Sequence, residues 1–332
     1  MPAASFLLLR PREVQACAGL DAAALAAVEE SFSWLARGEA VMPPPMSLEV
    51  AERKAEVHVK TAYVHGQPGY AVKIASGFYA NAAAGLPTSS GLMVLLSATT
   101  GFPLALLLDD GYLTDLRTAL AGAVAARHLA RATLGTIGVV GAGVQARLQL
   151  RALSLVRRFE RVRVWGRRPQ AASDYAAEMS AALGVEVVPV DNVSELVKGS
   201  DLVITATGAH EPLVRAADLH AGLHITALGS DGPGKQELEP TVLARADRRV
   251  CDRKAQCFRL GELQHALAAG LLDESSEVLE LGELTSGRQP GRRDDREITV
   301  CDLTGVGVQD TAIALLAFRE ATARGLGTRV DA

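Results

Sequence analysis

Cysteine is scarce in this chain: four residues in 332, at positions 17, 251, 257 and 301. Few and irregularly spaced, they suggest no disulfide framework and no zinc-ligand pattern. They read as reduced, mostly buried thiols of a cytosolic protein. The seven histidines show no His-Glu-x-x-His or other ligand spacing, so no metal site is expected. An excess of positive charge is missing too. With a net charge of -4 and arginines scattered among acids, there is no electrostatic footprint for nucleic acid. No run approaches the roughly 18 apolar residues that a membrane helix needs. The first ten residues carry too short an apolar stretch, and no basic start, for a signal peptide. Leu228-Gly229-Ser230-Asp231-Gly232 lacks the glycine two before the serine that a hydrolase elbow requires. The expectation is a cytoplasmic protein with neither a membrane nor a nucleic-acid partner.

What is there begins with size. A chain of 332 residues, 48% hydrophobic, suggests about two domains with a large core. Asp21 reads as the N-cap of a helix carrying Leu25, Val28, Phe32 and Leu35 on one face and ending at Gly38. Pro43-Pro44-Pro45 then closes any helical reading. From Leu48 to Leu108 the text is strand-like (57–64, 70–74, 92–97 and 103–108), with breaks at Gly66, Gly85 and Gly101. That spacing predicts antiparallel hairpins. Near Thr133 the rhythm changes. Strand candidates at 137–140, 162–165, 185–188, 202–205, 224–228, 249–251 and 298–301 alternate with helical or loop segments, which implies an α/β domain whose parallel sheet is covered on both faces. Residues 288–297 read as a charged loop. A last helix, about Val308 to Arg324, follows the Gly305-Val306-Gly307 turn and is expected to return to the first domain.

The strongest local signal is Ile137-Gly-Val-Val-Gly141-Ala-Gly143-Val144-Gln145-Ala146. A β-branched strand runs into Gly-x-Gly-x-x-Ala, the form of a turn that receives a dinucleotide's pyrophosphate. The first glycine permits the sharp turn, the second lets backbone N–H groups approach phosphate, and the small Ala146 lets the helix pack on the sheet. The helix N-terminus adds partial positive charge. Where an acid commonly grips the ribose at the end of the second strand, this chain reads Trp165-Gly166-Arg167-Arg168. Two guanidiniums suit a 2′-phosphate, so NADP(H) is favoured, with NAD(H) the alternative; a solvated turn is the other reading of the pair.

Further along, Asp201-Leu-Val-Ile-Thr-Ala206-Thr207 looks like the fourth strand of such a sheet, with Ala206 and Thr207 at its ligand-binding carboxyl end. A fifth strand delivers Ser230-Asp231 into a glycine-rich loop. Asp231 is the favoured acid/base candidate, and an ordinary turn aspartate is the alternative. In the first domain, Lys73 stands in the apolar strand Tyr70-Ala-Val-Lys73-Ile74, where a lysine is costly without a partner. Arg117 opens an alanine-rich helix. Lys73 and Arg117 together can clamp a carboxylate, and Lys60 can add a contact; each taken singly reads as readily as a surface charge.

These segments together resemble one family. Ala71-Val-Lys73, Gly85-Leu-Pro87, Leu113-Thr114 with Arg117-Thr118, Val140-Gly-Ala-Gly-Val-Gln-Ala146 and Gly229-Ser-Asp231-Gly-Pro-Gly-Lys-Gln-Glu-Leu238 are similar, in order and over about residues 13–324, to the ornithine cyclodeaminase and mu-crystallin family. The resemblance implies a Rossmann doubly wound parallel sheet (residues 132–308) and a discontinuous α+β substrate-binding and dimerisation domain (1–131 and 309–332). It also implies a homodimer, a nicotinamide cofactor and a small amino-acid-derived substrate. By motif, Lys73 and Arg117 would hold the substrate carboxylate and Asp231 would be the catalytic acid/base. Thr118, Gly143, Val144, Gln145, Thr207 and Ser230 would contact the cofactor, while Val306 and Gly307 would border the substrate. Two departures separate the chain from ornithine-type members: Met46 follows the prolines where they carry an arginine, and their ribose-binding acid is missing. The Lys60 segment and the Asp231 loop look more like ectoine-utilisation cyclodeaminase-like proteins and imine reductases. Three activities are therefore expected in order: NAD(P)H-dependent imine reduction, amino-acid cyclodeamination, and non-catalytic ligand binding of the crystallin type.

Overall fold

The structure, a computed structural model, describes residues 5–331; residues 1–4, the start of the segment weighed above as a signal peptide, lie outside them. The chain divides into two compact units. One runs to Arg117 and resumes at Val306, and the other is the continuous segment Thr118–Gly305. The sequence predicts these boundaries after residues 131 and 308. The first division falls instead inside a single alanine-rich helix, Tyr112–Leu129, whose uniform composition carries no mark of it.

The first unit is built on an eight-stranded sheet. Its strands are β1 (Ser5–Leu9), β2 (Ala40–Val41), β3 (Met46–Val50), β4 (Ala55–Val64), β5 (Gly69–Phe78), β6 (Ser89–Ser97), β7 (Pro103–Leu107) and, at the end of the chain, β18 (Thr328–Asp331). Helices α1 (Pro11–Cys17), α2 (Ala22–Arg37) and α11 (Gly307–Arg324) complete it, with the first turn and a half of α3 (Tyr112–Leu129). Asp21 caps α2 by accepting from the Ala24 N–H at 2.8 Å, and Gly38 ends it in the left-handed conformation. The β4–β5–β6–β7 pairings are antiparallel, as the hairpin spacing predicts. One pairing departs from that expectation: β1 lies parallel to β7. Its short run Phe6-Leu-Leu-Leu9 carries no hairpin signal because its partners are about 100 residues or more away in sequence.

Period-two alternation gives this sheet two characters. On one face Ala62, Val64, Ala71, Lys73, Met93, Leu95, Ala105 and Leu107 are buried. Helix α11 packs there, its Thr311 hydroxyl donating to the Ala62 carbonyl at 2.8 Å and accepting from the Ala71 N–H at 3.1 Å. On the other face Val57, Val59, Val72, Leu92, Val94, Leu96, Leu104 and Leu106 are half-buried and Ile74 is exposed.

The second unit carries the parallel sheet. Its strands β8 (Thr136–Val140), β9 (Arg161–Trp165), β10 (Glu186–Pro189), β11 (Leu202–Thr205), β13 (His224–Ala227), β15 (Arg248–Cys251), β16 (Leu279–Glu280) and β17 (Thr299–Asp302) run in the order β10-β9-β8-β11-β13-β17-β15-β16. Every pairing in it is parallel. Helices α4 (Val144–Leu153), α5 (Pro169–Leu183), α6 (Val193–Lys198), α7 (Pro240–Arg245), α8 (Lys254–Leu260), α9 (Leu263–Ala268) and α10 (Leu281–Thr285) connect the strands. Successive strands step outward from β8 to β10 and then reverse to β11 on β8's other side. This is the doubly wound Rossmann pattern, and the reversal creates a crevice at the carboxyl ends of β8 and β11. Two short strands, β12 (His210–Val214) and β14 (Gln236–Leu238), form a separate parallel pair; β14 lies in text that reads as polar loop.

The charged segment 288–297 is irregular, as expected, yet Arg292 is anchored. Its guanidinium donates to the carbonyls of Leu129 at 2.6 Å and Glu297 at 2.5 Å. All four cysteines are buried and unpaired. No helix among the described residues is long and apolar enough to cross a membrane.

Candidate active site

In the second unit, the glycine turn stands at the crevice. Val140, the last residue of β8, lies between Thr205 of β11 and Trp165 of β9. Gly141 has φ of 120°, and a Cβ there would lie 2.5 Å from the Ala206 carbonyl oxygen, so no other residue fits. Its N–H donates to Trp165 O at 2.8 Å. Gly143 precedes α4 with open space where a Cβ would point, and Val144 is 61% exposed. The first amides of α4 have no intrahelical acceptor. An exposed helix start, with room beside its glycine, fits a pyrophosphate. Gln149 of α4 ties this turn to Thr118 by donating to its carbonyl at 2.9 Å, and it approaches Gln145 Oε1 at 3.5 Å. Ala146 is fully buried against the sheet.

Arg167 and Arg168 are exposed after β9, Arg168 serving as the N-cap residue of α5. A groove of about 320 Å³ is lined by Trp165, Arg167, Pro169, Val190 and Asp191, among others; Arg168 is not in its lining. Asp191 is an acid that the sequence reading did not find, because it follows the third strand of the sheet rather than the second.

The loop after β13 carries Ser230 and Asp231. Ser230 is buried and donates to the Lys235 carbonyl at 2.7 Å, so its hydroxyl proton closes the loop. Asp231 does not fold back on its own backbone as a simple turn aspartate. Its half-exposed carboxylate takes Lys235 Nζ at 2.8 Å. Thr207 turns its hydroxyl to Glu237, donating at 2.7 Å, while Ala206 offers its carbonyl to the close approach of Gly141.

In the first unit, Lys73 and Arg117 come together, and an acid absent from the sequence reading joins them. Asp310, on the first turn of α11 and fully buried, accepts from Arg117 Nε at 3.0 Å and has Lys73 Nζ 3.6 Å from its second oxygen. Gln309 Oε1 lies 3.4 Å from Arg117 Nη1 and accepts from the Val306 N–H at 2.9 Å. Lys60 is the direct cross-strand partner of Lys73, and such partners share a face. Burial lowers the Lys73 pKa to about 7, with Asp310 opposing the shift and Arg117 and Lys60 adding to it. Val306 is buried, and Gly307 starts α11 hard against the Thr61 carbonyl. A lysine in an apolar strand calls for a buried anion without saying which acid supplies it; the structure identifies Asp310.

One unit is doubly wound with an open glycine turn, the other holds a buried cation pair, and the comparisons place the chain among NAD(P)-dependent enzymes. The chain belongs to the ornithine cyclodeaminase/mu-crystallin family, whose model matches residues 7–324. It is 46% identical to a putative dehydrogenase of Rhizobium meliloti, over 98% of both chains. Among solved structures, it is similar to the Thermococcus litoralis Delta(1)-pyrroline-2-carboxylate reductase in complex with NADH and L-proline. That match has 32% identity and a TM-score of 0.93, covering 98% of this chain and 100% of that one. An archaeal alanine dehydrogenase dimer with bound NAD is 34% identical with a TM-score of 0.91, over 98% of this chain and 99% of that one. The chain is an enzyme of this reductase, dehydrogenase and cyclodeaminase kind.

Proposed function

We propose that this protein reduces the C=N bond of a small α-imino acid or cyclic imine with NAD(P)H. The carrying observation is the Lys73–Arg117–Asp310 cluster. Two buried cations share one anion, which leaves a net positive charge when Lys73 is protonated, and a substrate carboxylate balances it. Holding that carboxylate fixes the adjacent C=N carbon and reduces the orientational part of the barrier. Asp231 in its protonated form gives its proton to nitrogen, and the carboxylate this leaves is the state that pairs with Lys235. General acid assistance of this kind is typically worth roughly 10²- to 10⁴-fold.

Gly141, Gly143, Val144 and Gln145 would hold the cofactor's pyrophosphate, and Thr118, Ala206, Thr207 and Ser230 would contact the cofactor, which when bound would supply the hydride. Arg167, which lines the groove with Asp191, and its exposed neighbour Arg168 support a preference for the 2′-phosphorylated form. Lys60, Val306 and Gly307 border the substrate. The half-exposed apolar sheet face around Val59, Ile74 and Val94 supports a homodimer, and the buried free thiols support a cytoplasmic location.

The deciding experiment follows NADPH and NADH oxidation with pyrroline carboxylate, iminosuccinate, or pyruvate plus ammonia. Asp231→Asn is expected to abolish turnover and spare cofactor binding; near-normal turnover removes the assignment. Ammonia release from a diamino acid without net cofactor consumption identifies a cyclodeaminase instead.

A further inference from the structure

Glu237 has no part in the chemistry above, yet its carboxylate is wholly buried and receives four hydrogen bonds. Oε1 accepts from the Thr207 N–H at 2.6 Å and the Thr207 hydroxyl at 2.7 Å. Oε2 accepts from the Thr205 hydroxyl at 2.6 Å and the Gly229 N–H at 2.8 Å. One side chain thus joins the end of β11, the loop that follows β13, and β14. The joint is tight. A Cβ on Gly229 would lie 2.1 Å from the Thr207 carbonyl oxygen and 2.4 Å from the Glu237 carboxyl carbon.

We propose that Glu237 is a positioning residue, holding Thr207 and the Gly229–Asp231 loop in the one mutual arrangement that the reaction uses. The proposal rests on the assignment of Asp231 as acid/base. Each carboxylate oxygen receives one backbone N–H, and a backbone N–H cannot reverse its polarity. Glutamine therefore cannot substitute: its amide NH₂ must face either Thr207 N–H or Gly229 N–H. A protonated carboxyl is tolerated better, because each oxygen also meets a threonine hydroxyl that can rotate to accept. Burial raises the Glu237 pKa while the Thr205 and Thr207 hydroxyls oppose the shift, so the arrangement is built to hold a costly charge in place. Glu262 fixes the backbone behind it, accepting from the N–H of Glu237 at 2.7 Å and of Leu238 at 3.1 Å.

The test compares Glu237→Gln with Thr205→Val, which removes one hydroxyl and leaves both backbone contacts. Two readouts are taken on the full chain: amide hydrogen exchange of the cofactor-free protein, and steady-state kinetics with 4-deuterated cofactor. Glu237→Gln is expected to raise exchange at least tenfold at Thr207 and Gly229 with strands β8 and β9 unchanged. It should lower kcat at least tenfold with little change in substrate KM, and raise the deuterium isotope effect as hydride transfer becomes limiting. Thr205→Val should show the same pattern more weakly. Faster exchange with unaltered kcat and isotope effect would leave Glu237 merely structural and overturn the proposal, as would wild-type exchange at both amides. If Asp231→Asn stays active while Glu237→Gln shows the full pattern, the Asp231 assignment fails and the positioning of Thr207 stands.

Discussion

Asp310 accepts a hydrogen bond from Arg117, 193 residues earlier in the chain, and its second oxygen lies 3.6 Å from Lys73. The charge state of Lys73 therefore decides whether the cluster can receive an anion. Burial lowers its pKa to about 7, so Lys73 is charged below that pH and neutral above it. Arg117 and Lys60 disfavour its proton and Asp310 favours it; an arriving carboxylate favours it further. Substrate binding should then take up a proton near and above neutrality. Apparent substrate affinity is expected to weaken by up to about tenfold per pH unit above 7, measured as kcat/KM against pH. Lys73→Met should flatten that profile and raise KM. A KM constant from pH 6 to 9 in the wild type would contradict the linkage.

Asp310→Asn removes the anion and leaves two buried cations facing each other. Breaking one side of a buried ion pair typically costs about 3–5 kcal/mol. The variant should melt well below wild type in cofactor-free thermal scans, and Lys73→Met in the same background should recover part of the loss. Additive losses in the double variant would show that the two side chains are uncoupled.

Much of this was legible in the sequence. The turn at Gly141–Ala146, the Asp21 cap and the alternation of β4 to β7 are local patterns, where neighbours in sequence are neighbours in space. Asp310 was not legible, because it lies in Gly-Val-Gln-Asp-Thr-Ala, ordinary helix-start text whose partners sit on β5 and α3. Glu237 was hidden for a related reason: Lys-Gln-Glu-Leu reads only as the tail of a glycine-rich loop, and its burial comes from the convergence of strand ends. The parallel pairing of β1 with β7 left no trace either, since a parallel neighbour needs no turn to announce it.

Arg167→Ala with Arg168→Ala tests the cofactor preference. Hydrogen bonds to charged groups contribute about 1.5–3 kcal/mol, so KM for NADPH should rise roughly 10- to 100-fold while KM for NADH changes little. Equal effects on both cofactors would place the two arginines away from the 2′-phosphate.

Asp302 gives a pH signature that does not depend on substrate. It is fully buried; desolvation raises its pKa to about 8, opposed by the N–H groups of Leu263 and Glu262, with Asp252 adding to the rise. A carboxyl raised in the folded state binds a proton that the unfolded chain has already lost. Its contribution is complete below pH 4, declines above that, and is gone above about pH 8. The urea midpoint should therefore fall between pH 6 and 9, and the fall should be shallower in Asp302→Asn. Midpoints that rise over that range would reverse the sign and exclude Asp302 as the cause.

The division of the first unit between the two ends of the chain also sets an order of assembly during synthesis. Residues 118–305 form one uninterrupted unit, every strand and helix of which precedes the last helix in the chain. Lys73 and Arg117, made early, have to wait for residue 310 before their counter-charge exists. Until α11 is made and packs on β4 and β5, the nascent first unit lacks both the cover for Ala62 and Ala71 and the neutraliser of its cations. A chain cut just before Val306 is thus deprived of a charge partner as well as a helix, whereas the second unit keeps every residue of its own.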